Sequence, residues 1–198
     1  MILESQTQIK RIAKILAESF MDDPGFQFIF GENENKFPAL KDFFELFIPD
    51  IIERGEIIIA PEDQGACLWY PESVEIFNEQ FEKILVDIAS TVYHFAGEES
   101  GKRFEHLIQT IGNKEPERSH CEVFFIGLKP EARGQGIGKN LIKPVLDYTD
   151  TKQVGCYLVS SNSRNISFYE RHGFQKYCPI KISDSYSMTG MWRDFANN

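Results

Sequence analysis

The sequence predicts an α/β fold, one mixed central sheet flanked by helices, and three observations carry that prediction. From Cys121 onward the pattern runs strand, turn, helix, strand, helix, and a crossover helix between consecutive strands makes them parallel neighbours in one sheet. Upstream, Ile57-Ile58-Ile59 and Ala66 to Tyr70 read as two strands joined by Pro61-Glu62-Asp63-Gln64-Gly65, a hairpin. The chain has 198 residues, 42% hydrophobic and 26% charged, enough to bury a substantial core without staples, and one domain over 1-198 is the default.

The elements follow in order. A short strand is expected at Ile2 to Glu4, then a helix capped by Thr7, because Ile9, Ile12, Ala13, Leu16 and Phe20 fall at helical spacing. Asp22-Asp23-Pro24-Gly25 reads as the loop that stops it. A second helix fits Pro38 to Glu53, ended by Gly55, and the hairpin follows. Val74 to Ala96 and Lys102 to Ile111 carry helical periodicity, broken between them at Gly97 and Gly101. Then come the strand Cys121 to Leu128, a glycine turn, the helix Lys139 to Tyr148, the strand Val154 to Val159 and a short helix in the run Asn165 to Phe174, capped near Asn162 or Ser163 and stopped by Gly173. Two last strands, around Lys176 to Ile182 and Tyr186 to Trp192, close the sheet antiparallel.

Composition excludes some functions. A formal net charge of -9 argues against general affinity for nucleic acid or an anionic membrane, which reward a basic surface. Cys67, Cys121, Cys156 and Cys178 never form a C-x-x-C pair, so neither a zinc site nor a redox motif is read from them, and no metal is expected. They read as small apolar residues of a reduced core. The opening residues lack a basic region followed by an apolar stretch, and no run of about 18 apolar residues suggests a membrane span. A cytoplasmic location is expected.

The chemistry sits in Arg133-Gly134-Gln135-Gly136-Ile137-Gly138, where a strand turns into a helix. Glycine permits positive φ and lets a ligand approach the main chain without a Cβ in the way. The free N–H groups of the first helical turn and the helix dipole favour an anion, with phosphate the natural candidate. A Walker loop fails because Arg133 occupies the place of its first glycine and Asn140 follows Lys139; a dinucleotide fingerprint fails at Lys139. What remains is [Q/R]-x-x-G-x-[G/A], satisfied by Arg133, Gly136 and Gly138.

At this point the chain resembles the GNAT acyltransferase family. Leu128-Lys129-Pro130 precedes the turn and Leu141-Ile142 follows it, as in the family, and Asn165 with Phe168-Tyr169-Glu170-Arg171-His172-Gly173-Phe174 matches its second signature. These cover roughly residues 120 to 175, and weaker likeness extends to Phe20 with Asp23-Pro24 and to Ala66 to Tyr70 with Pro71. His120, the proline at Lys143-Pro144 and the Phe-Tyr-Glu-Arg run look most like the puromycin N-acetyltransferase type.

The resemblance implies a single GNAT-type domain with a splayed parallel strand pair, a cofactor core at about 120-175 and acceptor-side elements at about 20-115. It implies acetyl-CoA as co-substrate, held at Ile126, Gly127 and Leu128, at Arg133, Gly134, Gln135, Gly136, Ile137, Gly138 and Lys139, and at Asn165 and Tyr169. Gly127 is consistent with a bulge or a close approach, or with room for a bulky neighbour. Transfer to an amine needs a neutral nucleophile, a stabilised oxyanion and a protonated leaving thiolate. Tyr169 matches the family's proton donor to sulfur, and it shares a helix face with Asn165. Glu122 is a candidate base, sharing strand parity with Leu128; a solvated strand residue and His120 as base are its alternatives. Arg171 and His172 read as structural, Trp69 and Tyr70 as core or acceptor-pocket lining. The expected function is acetyl transfer to a primary amine of a small molecule or peptide, by a monomer or homodimer; an acyl-CoA-binding sensor or scaffold is the alternative.

Overall fold

The structure is a computed structural model that describes residues 2–196. One six-stranded sheet, in the order β1-β2-β3-β4-β6-β5, organises it. The strands are β1 (Glu56–Ile59), β2 (Gly65–Tyr70), β3 (His120–Leu128), β4 (Gly155–Ser160), β5 (Gln175–Lys181) and β6 (Ser187–Arg193). Among the described residues only β3 and β4 pair parallel; every other neighbouring pair is antiparallel. The last two strands do close the sheet antiparallel, but β6 lies between β4 and β5, so the chain passes to the edge before returning inward.

Helices α1 (Ile2–Phe20), α2 (Pro24–Phe30), α3 (Lys36–Arg54), α4 (Glu79–Ala96) and α5 (Glu98–Gly112) cover one face. The crossover helix α6 (Ile137–Lys152) and the short α7 (Ile166–Glu170) cover the other. The division follows the pleat: along β2, Ala66, Leu68 and Tyr70 join the cluster under α1 to α5, while Cys67 and Trp69 join the cluster under α6. All six residues of β2 are buried, as a central strand covered on both faces must be. The cysteines fall on strands, with Cys67, Cys121 and Cys156 fully buried.

The first face absorbs the phenylalanine excess. Phe20, Phe26, Phe43, Phe44, Phe47, Phe81, Phe104, Phe124 and Phe125 contact one another, mostly edge to face, with centroids such as Phe44 to Phe125 at 5.1 Å. Beside them Asp50, paired with Arg54 at 2.8 Å, accepts the Tyr70 hydroxyl at 2.5 Å and ties α3 to β2. Tyr70 is therefore core, as is Trp69, whose ring lies 5.0 Å from that of Tyr148.

Three local expectations are corrected. No strand forms at Ile2 to Glu4 and Thr7 is no cap: the helix runs from Ile2, because propagation adds good helix formers such as Leu3, Glu4 and Gln6 at little cost. Asp23-Pro24 stops α1 but starts α2, with Asp23 accepting from the N–H groups of Gly25 and Phe26 and Pro24 in the first turn. Residues 74 to 78 are not helical; α4 begins after Asn78, whose side chain accepts from Phe81 N–H.

Candidate active site

The parallel pair opens as it runs. β4 pairs with β3 from His120 to Val123 only, so β3 continues through Ile126, Gly127 and Leu128 with its β4-facing edge free of a strand partner. On its other side β3 stays paired to β2, with one irregularity: Leu68 lies opposite Phe125 and Trp69 opposite Val123, which leaves Phe124 as the extra residue of a bulge. The bulge is therefore at Phe124, and Gly127 has a different reason. A Cβ there would lie 2.8 Å from Phe20 Cε2 and 2.9 Å from Ser19 Cβ, so the glycine makes room for the end of α1.

The turn that follows β3 has the geometry that an anion cradle requires. Gly134 and Gly136 take φ of +76° and +78°, the left-handed region, and neither has any atom within 4 Å of where a Cβ would stand. Glycine is there for the dihedral, and the space in front of the turn is open. The Lys139 N–H reaches back to Gly136 O at 3.2 Å; the N–H groups of Gly134 through Gly138 have no hydrogen-bond partner among the described residues. They stand at the N-terminus of a helix of 16 residues. Gly138 differs: a Cβ there would stand 3.3 Å from the Phe168 ring, so the turn lies close against the second signature. The Arg133 guanidinium is spent inside the protein, on Leu128 O at 3.2 Å and Ser19 O at 2.9 Å, and Gln135 donates to Glu131 O at 2.7 Å. Contact with a pyrophosphate would come from main chain rather than from these side chains. Free amides at a helix start and a free strand edge fit the two ends of coenzyme A, its pyrophosphate and its pantetheine amides.

Where β3 and β4 part, a cavity of about 160 Å³ opens toward α1, α2, α4 and α5. Ile126, Val159 and Ser160 line it at the seam, and Asn165 and Tyr169 both reach it, as their shared helix face predicts. Tyr169 is buried against Phe168 and Phe174, its hydroxyl without a hydrogen-bond partner among the described residues. Burial raises its pKa above the ordinary phenol value, so it is a neutral donor. The 3-10 turn before α7 is capped by Asn162, whose side chain accepts from Arg164 N–H at 3.0 Å, and Gly173 at φ +88° ends the segment. His172 accepts its place from local geometry, Nδ1 lying 2.7 Å from Phe168 O.

Two carboxylates border this cavity, and they are treated differently. Asp23, unassigned from sequence except as a point of likeness, receives Ser161 Oγ at 2.5 Å and the amides of Gly25 at 2.8 Å and Phe26 at 3.3 Å. Burial raises its pKa and those bonds oppose the rise. Glu122 is 6% exposed, with Oε2 sealed from solvent and without a hydrogen-bond partner among the described residues. Burial, reinforced by Glu115, pushes its pKa up to about 8, near the range where a carboxylate can take a proton at neutral pH. Glu122 is thus not a solvated strand residue. The parity that linked it to Leu128 does not hold, because the bulge at Phe124 reverses the alternation: Leu128 packs on the α6 side, while Glu122 faces the cavity on the other side. His120 is half-buried, lies 4.0 Å from Glu122 and is held by Arg118 O at 2.7 Å from its Nδ1.

Comparison with known proteins agrees with this geometry. The model of the acetyltransferase (GNAT) family matches residues 52–174. An uncharacterised N-acetyltransferase of Schizosaccharomyces pombe is 24% identical over 173 residues, covering 83% of this chain and 70% of that protein. The N-alpha-acetyltransferase RimI of Mycobacterium tuberculosis is 28% identical over 110 residues, 52% of this chain and 68% of that protein. Among solved structures, a Corynebacterium glutamicum protein described as histone acetyltransferase HPA2 and related acetyltransferase superposes with TM-score 0.69 at 20% identity, over 98% of this chain and 94% of that one. Arylalkylamine N-acetyltransferase 2 of Aedes aegypti superposes with TM-score 0.63 at 13% identity, over 96% and 95%. The open β3–β4 seam, the glycine turn at the start of α6 and the family match across both make this chain a member of the GNAT acetyltransferase family, an acetyltransferase whose family uses acetyl-CoA.

Proposed function

We propose that the protein transfers the acetyl group of acetyl-CoA directly to the primary amine of an acceptor bound in the cavity at the β3–β4 seam. The observation that carries the reading is that Glu122 and Tyr169 border one cavity, at the place where the two parallel strands separate. The thioester lies along the free edge of Ile126 to Leu128, with the pyrophosphate on the amides of residues 134 to 138. Glu122 takes the proton that an ammonium must lose before it can attack. The neutral amine adds to the thioester carbonyl, the tetrahedral adduct collapses, and Tyr169 gives its proton to the departing sulfur.

The lining supports an acceptor with an apolar body. Phe47, Phe81, Leu85, Phe104 and Ile108 line the cavity away from the seam, and its polar groups gather near Asp23, Glu122 and Ser161. An amine with an aromatic or alkyl body places its charge among the carboxylates and its carbon on the rings. One solved neighbour is named for arylalkylamines and one relative for peptide N-termini, so both small molecules and peptide amines belong in the test. The puromycin-type likeness, through His120, Pro144 and Phe168 to Arg171, supports the subtype without transferring its substrate. A cytoplasmic location agrees with four free thiols, and no described helix is long and apolar enough to cross a membrane.

Thiol release from acetyl-CoA, measured with arylalkylamines, alkylamines, polyamines and short peptides, tests the reading. Arylalkyl or alkyl amines are expected to give the highest kcat/KM. Saturable acetyl-CoA binding with no release on any amine would replace the enzyme with an acyl-CoA-binding module.

A further inference from the structure

Glu122 borders the acceptor cavity and also faces inward, its Oε2 lying 4.0 Å from His120 Nε2. The same Nε2 lies 3.9 Å from Glu115 Oε1. Glu115 in turn lines a separate surface hollow with Lys114, Arg118 and Tyr177, and its side chain is 30% exposed. One ligand atom from each of the three residues lies within 4.8 Å of those of the other two. His120 Nδ1 faces a backbone carbonyl, Arg118 O at 2.7 Å, which can only accept, so Nδ1 carries the ring's proton and Nε2 turns a lone pair toward both acids. Two carboxyl groups and a ring lone pair facing one point repel when both acids are ionised, and a proton shared among the three relieves that repulsion.

Magnitudes choose what passes. Zinc bonds of about 2.0–2.2 Å would bring tetrahedral ligand atoms to about 3.3–3.6 Å apart. Hydrogen bonds of about 2.8 Å to one bridging water spread its partners to about 4–4.6 Å. The separations of 3.9 and 4.0 Å exceed the zinc spacing and lie at the short edge of the second.

We propose that Glu122, His120 and Glu115 form a proton exit, carrying the acceptor's proton from the cavity along one face of the sheet to the surface hollow beside Glu115. This rests on the reading of Glu122 as base. The ammonium N–H bond breaks and its proton joins the Glu122 carboxylate. Glu122 passes it, through one water or a small closing movement, to His120 Nε2, giving an imidazolium whose Nδ1–H stays on Arg118 O. The same Nε2–H is then lost to Glu115, and from there to solvent. One proton leaves per ammonium consumed, and the proton that Tyr169 gives the sulfur is balanced by the one the amine nitrogen loses after attack. His120 and Glu115 touch no substrate in this scheme; they position and pass the proton.

The other ionisable groups facing the trio do not compete. Tyr70 from β2 and Cys156 and Tyr157 from β4 are all held protonated by burial. Arg118, on the loop before β3, is turned onto the Trp192 ring at 3.4 Å and toward Asp194 at 3.6 Å. Burial holds His120 below its ordinary pKa, so the ring starts each cycle neutral.

Steady-state kinetics on the full chain test the exit. His120→Gln is expected to lower kcat about tenfold or more, within the usual reach of proton-transfer groups. The KM of the amine and the Kd of acetyl-CoA should change less than about twofold, and the acid limb of the pH profile should move. Glu115→Gln should give a smaller loss of the same kind, and free imidazole should restore turnover to His120→Ala. If His120 variants fail to fold, Glu115→Gln, at a partly exposed position, carries the test by kcat and pH profile. Wild-type kcat and pH profile in both variants would overturn the exit, as would a KM rise at constant kcat, or a stoichiometric divalent metal in the purified protein that His120→Gln releases. An inactive Glu122→Gln beside an unaffected His120→Gln overturns the exit alone; a fully active Glu122→Gln overturns the base and the exit together.

Discussion

The two halves of the site are made of different material. On the α6 side, the cradle at Gly134 to Gly138 and the edge at Ile126 to Leu128 present main chain: amides with no partner among the described residues, beside a strand edge that β4 has left. The side chains that sequence would suggest as ligands are occupied elsewhere, Arg133 on two carbonyls and Gln135 on a third. On the α1 to α5 side the cavity presents side chains: rings, a hydrogen-bonded Asp23 and a Glu122 whose Oε2 has no hydrogen-bond partner among the described residues. A main-chain site is indifferent to most substitutions and vulnerable to an added Cβ. A side-chain site is vulnerable to the change of a single oxygen. The perturbations below separate the two.

Glu122→Gln should have the largest effect. On the proposed reading, in which Glu122 is the base and the other half holds the cofactor, the change is expected to lower kcat/KM about 10²- to 10⁴-fold while leaving acetyl-CoA affinity unchanged. The wild-type profile should rise with pH through about 8, following Glu122, and the variant should lose that limb. Stability moves the opposite way. The folded pKa is raised from 4.5 to about 8, so the stabilising contribution of the protonated acid is complete below about 4.5 and is lost as pH rises through 8. Glu122→Gln should therefore melt above the wild type at pH 8 or higher, by a margin on the order of a few kcal/mol, and should lose that advantage near pH 4.5. Equal melting points at both pH values would show that the carboxyl is not desolvated.

Tyr169→Phe comes next, with an expected loss in kcat of about 10²-fold and little change in cofactor affinity, read by single-turnover thiol release and direct binding. Parallel loss of both would return Tyr169 to the core, where Phe168 and Phe174 already hold it.

How much of this was legible in the sequence follows the same division. The strand, turn and helix from His120 to Lys152 are consecutive, and alternate glycines mark a backbone conformation, so both the elements and the geometry of the turn can be read locally. Asn165 and Tyr169 were legible for the same reason, sharing one turn of helix. The acceptor side was not. The Phe excess was visible, but the rings meet from α1, α2, α3, α4, α5 and β3, contacts no local pattern encodes. Glu122 was named on an alternation that the bulge at Phe124 reverses, so its place at the cavity does not follow from the argument that singled it out. Asp23 carried a readable signal, an N-cap residue before proline, but the same pair also reads as a helix stop.

Gly127→Ala strikes where the halves meet. A methyl group there would sit 2.8 Å from Phe20 Cε2 and 2.9 Å from Ser19 Cβ, an overpacking expected to cost about 1–3 kcal/mol. Phe20 also lines the cavity, so its displacement should raise the amine KM more than the acetyl-CoA KM. Denaturant unfolding and both KM values check this; a stability loss with neither KM altered would show that α1 yields without moving Phe20.

Gly136→Ala is the mildest change and the sharpest test of the main-chain half. No atom lies within 4 Å of the new methyl, so any loss must come from the backbone, held at φ +78° and ψ 0°. A non-glycine residue in the left-handed region costs about 1–2 kcal/mol. The loop can relieve that strain only by turning the amides of the cradle away from their common point. Acetyl-CoA affinity should therefore fall about tenfold, near 1.4 kcal/mol, while kcat at saturating acetyl-CoA and the amine KM stay at wild-type values. An unchanged cofactor Kd would mean that the pyrophosphate is held elsewhere, with Arg133 released from Ser19 and Leu128 as the first place to look. A fall in kcat at saturation would mean instead that turn and cavity are coupled, through Gly138 against Phe168 and so to its neighbour Tyr169.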